Sequence, residues 1–500
     1  MFRMQLDGAN VVWRESCMEE LSGKADTLVR TASDAETAAA GAVQATTASG
    51  SPPIGQATSK APSEQKNGPG HPIAKAVSGL VYRLRDFEDC ASEFVPVAEK
   101  MRPDSLRKLI KEIQDFVALL AKNAPDEGKK VLLLKRALEW THKVKRVVHA
   151  NPERVLRESL FIGMFGAFDA FTGELLRALF ERKPALFGGL KRQIDVAAIM
   201  ESETLQDLKQ SLIEEEIESF RRESYCDQFA KLEGLFGLKL RSLSRWSDFV
   251  ERSQRRNLLT HCDGMVNDQY RKACRAVGVG CNEEIGVRLE ISSECLKDTV
   301  ELLMEVGIKL GQTLWRKVLP DELEAADNSL NSEIYDCLTD ESWNRASVLA
   351  EFAIGQPQFA SDVIKKVVTV NYVIAAKFGG RPEKARELLA ALDWSGATAD
   401  FRLAKAVLED RFEDACAIML QVGKHAEYFK EHTYHVFPLF RVFRLQQCFL
   451  DTYEKVFGRP FSEKVHETMD EAKIELEVKA EQDSQSVQAK AESARAVQTD

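Results

Sequence analysis

The sequence predicts an all-α protein, with N-terminal helices, a central unit of four helices and a C-terminal region of helical hairpins. Three observations carry that expectation. From Pro72 onward, apolar residues recur three and four positions apart, the period of a helix, rather than alternating as in a half-buried strand. The runs are separated by helix stops and starts: Arg102-Pro103-Asp104, Ala124-Pro125-Asp126, Asn151-Pro152 and Asp263-Gly264. Beyond Asp327 a helix pair is echoed 30 residues later, with Phe378 matching Leu408 and Ala385 matching Ala415.

Taken in order, residues 1–71 read as a disordered tail. Between Ser22 and Gly70 the chain is mostly Ala, Thr, Ser, Gly and Pro, and cannot bury enough apolar surface to offset its ordering entropy. Residues 72–150 read as a helical lead-in packed on the central unit, with helices over Ile73–Met101, Pro103–Asn123 and Gly128–Ala150. The second carries an expected buried stripe of Leu106, Leu109, Ile110, Ile113, Phe116, Val117 and Leu120. The third is basic on one side (Lys129, Lys130, Lys135, Arg136, Lys143, Lys145, Arg146), which as a default is a solvated face and otherwise a surface for RNA.

The central unit, residues 151–320, opens at Asn151-Pro152, an N-cap followed by proline at the first helical position. Its first helix extends to about Arg182 and its second from about Thr204 through Leu232, with Glu214-Glu215-Glu216 on a solvated face. The third ends at Asp263-Gly264, and the fourth covers Ser292–Val318. Between the last two, Val277–Gly280 and Ile285–Leu289 look extended, as a small hairpin or irregular arm. Residues 325–461 are the hairpin region. Its period is close to the ~34 residues of tetratricopeptide units without their signature Trp and Tyr positions, and its expected role is contact with another protein or with the central unit. A last helix, Phe437–Phe457, has a stripe of core-forming aromatics, and 462–500 is a charged, frayed tail.

The net charge of -10 argues against a protein that coats nucleic acid indiscriminately. Locally the balance reverses: between Lys239 and Arg275 nine basic residues face four acidic ones, an excess of +5. Ten scattered cysteines without a Cys-x-x-Cys pair read as free thiols in a reducing compartment. With no apolar stretch near membrane-span length and no basic-then-apolar leader, the expected location is cytoplasmic, without a membrane partner. The glycines are not followed by Gly-Lys-Ser/Thr, so a phosphate loop is unsupported. No cofactor and no metal site is expected.

The chemistry concentrates at Arg256-Asn257-Leu258-Leu259-Thr260-His261, in the last turns of the third central helix. A histidine with an unperturbed pKa near ~6.5 can pass protons at neutral pH, and a permanently charged arginine can hold a phosphate. That pair suits metal-free phosphodiester cleavage, in which a ribose 2′-OH is deprotonated and attacks its own phosphate. Five positions on an ideal helix span about 140°, so Arg256 and His261 should not share a face, whereas Asn257 and His261 should. Either the helix unwinds before His261 or a second copy of the chain supplies one of the two groups across a two-fold axis. The plainer reading of a cation at a helix end is a C-terminal cap.

These residues resemble the HEPN superfamily (higher eukaryotes and prokaryotes nucleotide-binding), whose ribonuclease members carry Arg, a polar residue, and His four to six positions after the Arg. Arg256, Asn257 and His261 match. Asp263-Gly264-x-Val266-x-x-x-Tyr270 and the Phe-rich helix with Phe161, Phe165, Phe168, Phe171, Asp169 and Glu174 are similar to several branches of that superfamily. The resemblance covers about Asn151 to Pro320. It implies a four-helix bundle that dimerises to build an RNA-cleaving cleft, with His261 as general base or acid, Arg256 holding the phosphate and Asn257 fixing the site. The expected function is thus a metal-independent endoribonuclease of toxin or defence type. The alternative is a catalytically silent helical module that binds RNA or protein.

Overall fold

The computed structural model describes residues 70–122, 127–189, 202, 204–280, 283–394 and 396–462. The tails expected at 1–71 and 462–500 fall almost wholly outside them. The fold is all-α: among the described residues there is no strand, only one isolated antiparallel bridge between Met265 and Arg288.

The body is organised around three long helices, α1 (Pro72–Lys122), α3 (Pro152–Arg182) and α8 (Ser293–Val318), which pack on one another. Helix α3 starts where the sequence places it, because the Asn151 side chain accepts from the Arg154 N–H at 3.1 Å and Pro152 occupies the first turn. Its Phe161, Phe165, Phe168 and Phe171 are fully buried. Ser292 caps α8 in the same way through the Cys295 N–H at 3.0 Å.

The first half of α1 is part of this core, which goes beyond a lead-in lying on it. Ile73, Val77, Leu80 and Leu84 are fully buried, and α1 crosses α8 at two glycines. A Cβ at Gly307 would run into Leu80, and one at Gly311 would lie 2.7 Å from Val77 Cγ2. Only glycine admits this approach.

The break expected at Arg102-Pro103-Asp104 is absent, since α1 continues through both Pro96 and Pro103. Each proline forfeits one backbone hydrogen bond, but both are exposed, so the freed carbonyls can take water. Past Pro103, α1 runs beside α2 (Glu127–His149), where Glu112 meets Trp140 and Lys143. The stripe expected to be buried there is largely in solvent for the same reason, with Leu109 buried but Leu106, Ile110 and Val117 exposed. Two helices alone cannot cover each other on all sides.

The second central helix is two: α4 (Leu205–Arg222), capped by Thr204, and α5 (Tyr225–Phe236), capped by Ser224, whose Oγ accepts from the Asp227 N–H at 3.3 Å. The acidic run on α4 is not simply solvated. Glu216 is buried against Lys231 Nζ at 3.0 Å, and Glu214 holds Arg177 at 2.7 Å. Helix α6 (Trp246–His261) lies against α3 and α8, and is followed by α7 (Asp268–Ala276), a helix the sequence pattern did not suggest. The extended segment 285–289 pairs with 264–266 rather than with 277–280: Val266 N–H donates to Val287 O and Leu289 N–H to Gly264 O, both at 2.9 Å.

Three helix pairs follow: α9 (Leu323–Thr339) with α10 (Trp343–Ile354), α11 (Asp362–Phe378) with α12 (Pro382–Ala391), and α13 (Ala399–Leu408) with α14 (Phe412–Val422). Each pair turns through one residue in the left-handed region, Glu341 (φ 55°), Gly380 (φ 76°) and Asp410 (φ 59°). In each the next N–H reaches back five residues, from Ser342 to Cys337 at 2.8 Å, Arg381 to Ala376 at 2.8 Å, and Arg411 to Ala406 at 2.9 Å. The echo read at a period of 30 is thus a repeated turn, and it includes the preceding hairpin.

The expected helix over Phe437–Phe457 is broken. After α15 (Glu431–Val436), tight turns at Pro438–Phe440 and Phe443–Leu445 precede α16 (Gln447–Phe457). Its aromatics are nonetheless core, with Phe440, Phe443 and Phe449 fully buried. One apolar window within Leu133–Arg182, with hydropathy 1.3, does reach span length by composition, contrary to the sequence expectation. It is 56% buried, and the α3 phenylalanines face the core.

Glu333 on α9 gives a pH test of this packing. Burial first, and then the neighbouring Asp336, push its carboxyl up to about 7 against a smaller pull from Arg85. Because the folded state binds this proton more tightly than the unfolded chain does, stability falls as pH rises from the ordinary glutamate value through 7. Glu333→Gln is expected to raise the thermal midpoint at pH 8 by the equivalent of up to about 3 kcal/mol, with the gain shrinking toward pH 5. Thermal melts across that range check it, and a gain independent of pH would rule out Glu333 as the cause.

Candidate active site

Helix α6 turns two different sides to two different charge networks. On one side Glu251 is buried and accepts from Tyr270 OH at 2.6 Å, from Arg255 at 2.7 Å and from Arg252 at 2.7 Å. Burial pushes its carboxyl up, but Arg255, Arg252 and the tyrosine outweigh burial and hold it below the usual carboxylate range. This network fixes α6 against α7 and lines a separate hollow of about 450 Å³ with Arg245, Asp248 and Asp298.

The other side opens into a cleft of about 340 Å³, in the size range of small-molecule sites. Arg256, Asn257 and His261 all line it, together with Asp169 from α3 and Tyr225 from the start of α5. The helix does not unwind: Cys262 N–H still donates to Leu258 O at 2.8 Å, one residue past His261. The chain then reverses through Asp263 (φ 49°) and Gly264 (φ 73°), with Gly264 N–H also bonded to Leu258 O at 3.0 Å.

Arg256 reaches the cleft in spite of the angular offset because its side chain is long and is drawn sideways. Its Nη1 donates to Asn257 Oδ1 at 3.1 Å and its Nη2 to Asp169 Oδ2 at 2.9 Å, with Tyr225 OH at 3.4 Å. A single chain therefore presents both groups on one cleft, and the face-splitting that called for a second copy loses its basis.

Tyr225 is the hub of this arrangement. Its ring packs edge-on with Phe168 and Phe249, at 5.8 and 5.3 Å, so that its hydroxyl points out of an aromatic cluster toward the cleft. That hydroxyl donates to Asp169 Oδ1 at 2.6 Å. Burial first, then the Asp169 charge, drive the phenol well above its ordinary value, with Arg256 opposing, so Tyr225 stays a donor. Asp169 thus grips Arg256 and Tyr225 with one oxygen each. His261 is different: it is exposed and makes no hydrogen bond or ion pair among the described residues.

Asp169 and Tyr225 received no role from the sequence. Tyr225 fell inside a run read as one continuous helix, but Ser224-x-x-Asp227 is a capping signature that marks a new helix there. No local signal links Asp169 to Arg256, 87 residues away.

The basic excess around the motif is smaller in space than in sequence. Asp298 on α8 holds Arg245 at 2.7 Å and Arg252 at 3.2 Å, Glu233 holds Arg241 at 2.7 Å, and Asp169 holds Arg256. Arg221, at the cleft rim, makes no ion pair among the described residues. Among those residues no group of three His, Cys, Asp or Glu is placed to hold a metal.

The fold and the cleft together define a class, an all-helical protein with an arginine held by a tyrosine and an aspartate beside a histidine that is unpartnered among the described residues. No family model, curated protein or solved structure matches the chain.

Proposed function

We propose that this cleft cleaves RNA without a metal, as the resemblance of its motif to HEPN ribonucleases implies. The observation that carries the reading is that an oriented Arg256 and an exposed His261, unpartnered among the described residues, line the same polar cleft. The imidazole takes the proton of a ribose 2′-OH, the 2′-oxygen attacks the adjacent phosphorus, and the bond to the 5′-oxygen breaks. The leaving oxygen collects a proton from water or from the imidazolium, and the products are a 2′,3′-cyclic phosphate and a 5′-hydroxyl.

Arg256 uses Nη2 and part of Nη1 on the protein, leaving Nε–H and one Nη1 hydrogen for the phosphate oxygens as their charge grows. Asp169, Tyr225 and Asn257 position the guanidinium before substrate arrives. Purified protein should cut single-stranded RNA in the presence of EDTA and leave cyclic phosphate ends. Intact RNA after long incubation, or cutting abolished by EDTA, would reject the reading.

The repeated hairpins favour an additional role in protein contact. Tyr335, Asn371, Phe401 and Phe437 surround a small, mainly apolar hollow of about 170 Å³ between successive pairs. This is the surface on which a silent binding module would act.

A further inference from the structure

We infer that the projecting α1–α2 hairpin docks on an anionic lipid surface. The two helices meet along a seam that includes Phe116 and Trp140, whose ring centroids are 4.9 Å apart. One side of that seam is a polar ridge: Glu112 accepts from Trp140 Nε1 at 3.2 Å and from Lys143 Nζ at 3.3 Å, and Arg136 pairs with Glu139 at 3.7 Å. Helical spacing carries Asp115 to the same side.

The opposite side is apolar and bare. Leu106, Ile110 and Val117 on α1 and Val131, Leu134 and Leu138 on α2 fall there, and the α2 residues are 72%, 65% and 57% exposed. Nothing in the chain covers them among the described residues. Of the described charged side chains on this side, those in or beside the rows are cationic: Lys145 within the α2 row, Lys135 and Arg107 along the outer edges, all exposed. Of the acids whose side chains are described, Glu112 and Asp115 lie on the ridge behind, Glu139 pairs with Arg136, and Asp104 pairs with Arg107 at 2.7 Å.

Charge selects the occupant. Helix α2 carries Lys129, Lys130, Lys135, Arg136, Lys143, Lys145 and Arg146 against Glu127 and Glu139, seven positive to two negative in a chain of net charge -10. A second copy would set Lys145, Lys135 and Arg107 against the same cations of its partner, and RNA would leave the apolar rows in water. A bilayer with acidic headgroups takes both at once: the apolar rows enter the headgroup boundary while the lysines stay at the phosphate level. Such a hairpin lies on the surface and needs no spanning segment, so the sequence criterion for a membrane span does not bear on it.

The test is co-sedimentation of the full chain with phosphatidylcholine vesicles, with and without phosphatidylserine. Binding should be at least about tenfold tighter on the phosphatidylserine vesicles and should weaken as salt rises. The double variant Leu134→Glu, Leu138→Glu should lose at least about tenfold of that binding, with circular dichroism unchanged because both positions are exposed. Lys135→Gln with Lys145→Gln, which spares the apolar rows, should lose the preference for phosphatidylserine. Absence of binding to anionic vesicles would overturn the inference. So would binding that survives both double variants, or a dimer by light scattering that Leu134→Glu with Leu138→Glu converts to monomer, since the face would then belong to a second copy. RNA cleavage need not respond to either double variant, so this result and the ribonuclease reading fail independently.

Discussion

Replacing His261 with alanine is expected to lower RNA cleavage by about 100-fold or more while leaving stability within about 0.5 kcal/mol of the parent. The two halves of that expectation come from the same observation. An exposed imidazole with no hydrogen bond or ion pair among the described residues holds nothing in place, so its removal costs the fold little. Among the described residues it is the histidine that lines the cleft, so its removal takes away the imidazole that the proposed proton transfer uses. Cleavage rate and thermal midpoint, measured on one preparation with EDTA present, check both. A variant that cuts as fast as the parent would leave His261 as a helix-end residue and nothing more.

The helix end that carries Arg256 and His261 was legible because the apolar period and the stop that follows it are local features. Apolar periodicity ran up to the motif, and Asp263-Gly264 could only be a stop, since both adopt the left-handed backbone that ends α6. What could not be read was how Arg256 comes to share a cleft with His261. A wheel treats every side chain as a spoke of fixed direction, whereas a guanidinium on a flexible stem goes where its acceptors are. Those acceptors, Asp169 and the Tyr225 hydroxyl, are brought in by α3 and α5.

The same distinction between local and tertiary causes separates the fold expectations that hold from those that do not. Caps at Asn151 and Ser292 fixed α3 and α8 because a capping side chain bonds its own first turn. Pro103 misled because a proline's effect depends on whether its freed carbonyl meets water or a neighbour, and here that side of α1 is open. The stripe on the distal half of α1 misled in the opposite way. Its periodicity is genuine, but an amphipathic face states only that something apolar should cover it, and the rest of the described chain does not reach that far. Glu216 and the arginines of α6 show the limit of counting charge along a sequence, because their partners Lys231, Asp298 and Asp169 sit on other helices.

Arg256→Ala is expected to reduce cleavage by about 100-fold or more, and Arg256→Lys to recover less than about a tenth of the parent rate. The guanidinium is a planar fork with three protein partners at fixed angles: Asn257 Oδ1 at 3.1 Å, Asp169 Oδ2 at 2.9 Å and the Tyr225 hydroxyl at 3.4 Å. A lysine ammonium on Asp169 would satisfy that carboxylate as a point charge, but it could not keep two further donors aimed into the cleft. Alanine also leaves Asp169, whose side chain is only 20% exposed, with the tyrosine hydroxyl as its one remaining partner, and should destabilise the fold by about 1–2 kcal/mol. The stability and activity losses can be pulled apart in one further protein. Arg256→Ala combined with Asp169→Asn removes the stranded charge and keeps an acceptor for the Tyr225 hydroxyl, so the thermal midpoint should return most of the way to the parent's while cleavage stays at the level of the single variant. Cleavage that recovers with the midpoint would mean that Arg256 serves the structure and not the phosphate. An Arg256→Lys protein with the parent's rate would mean that any positive charge suffices at the cleft.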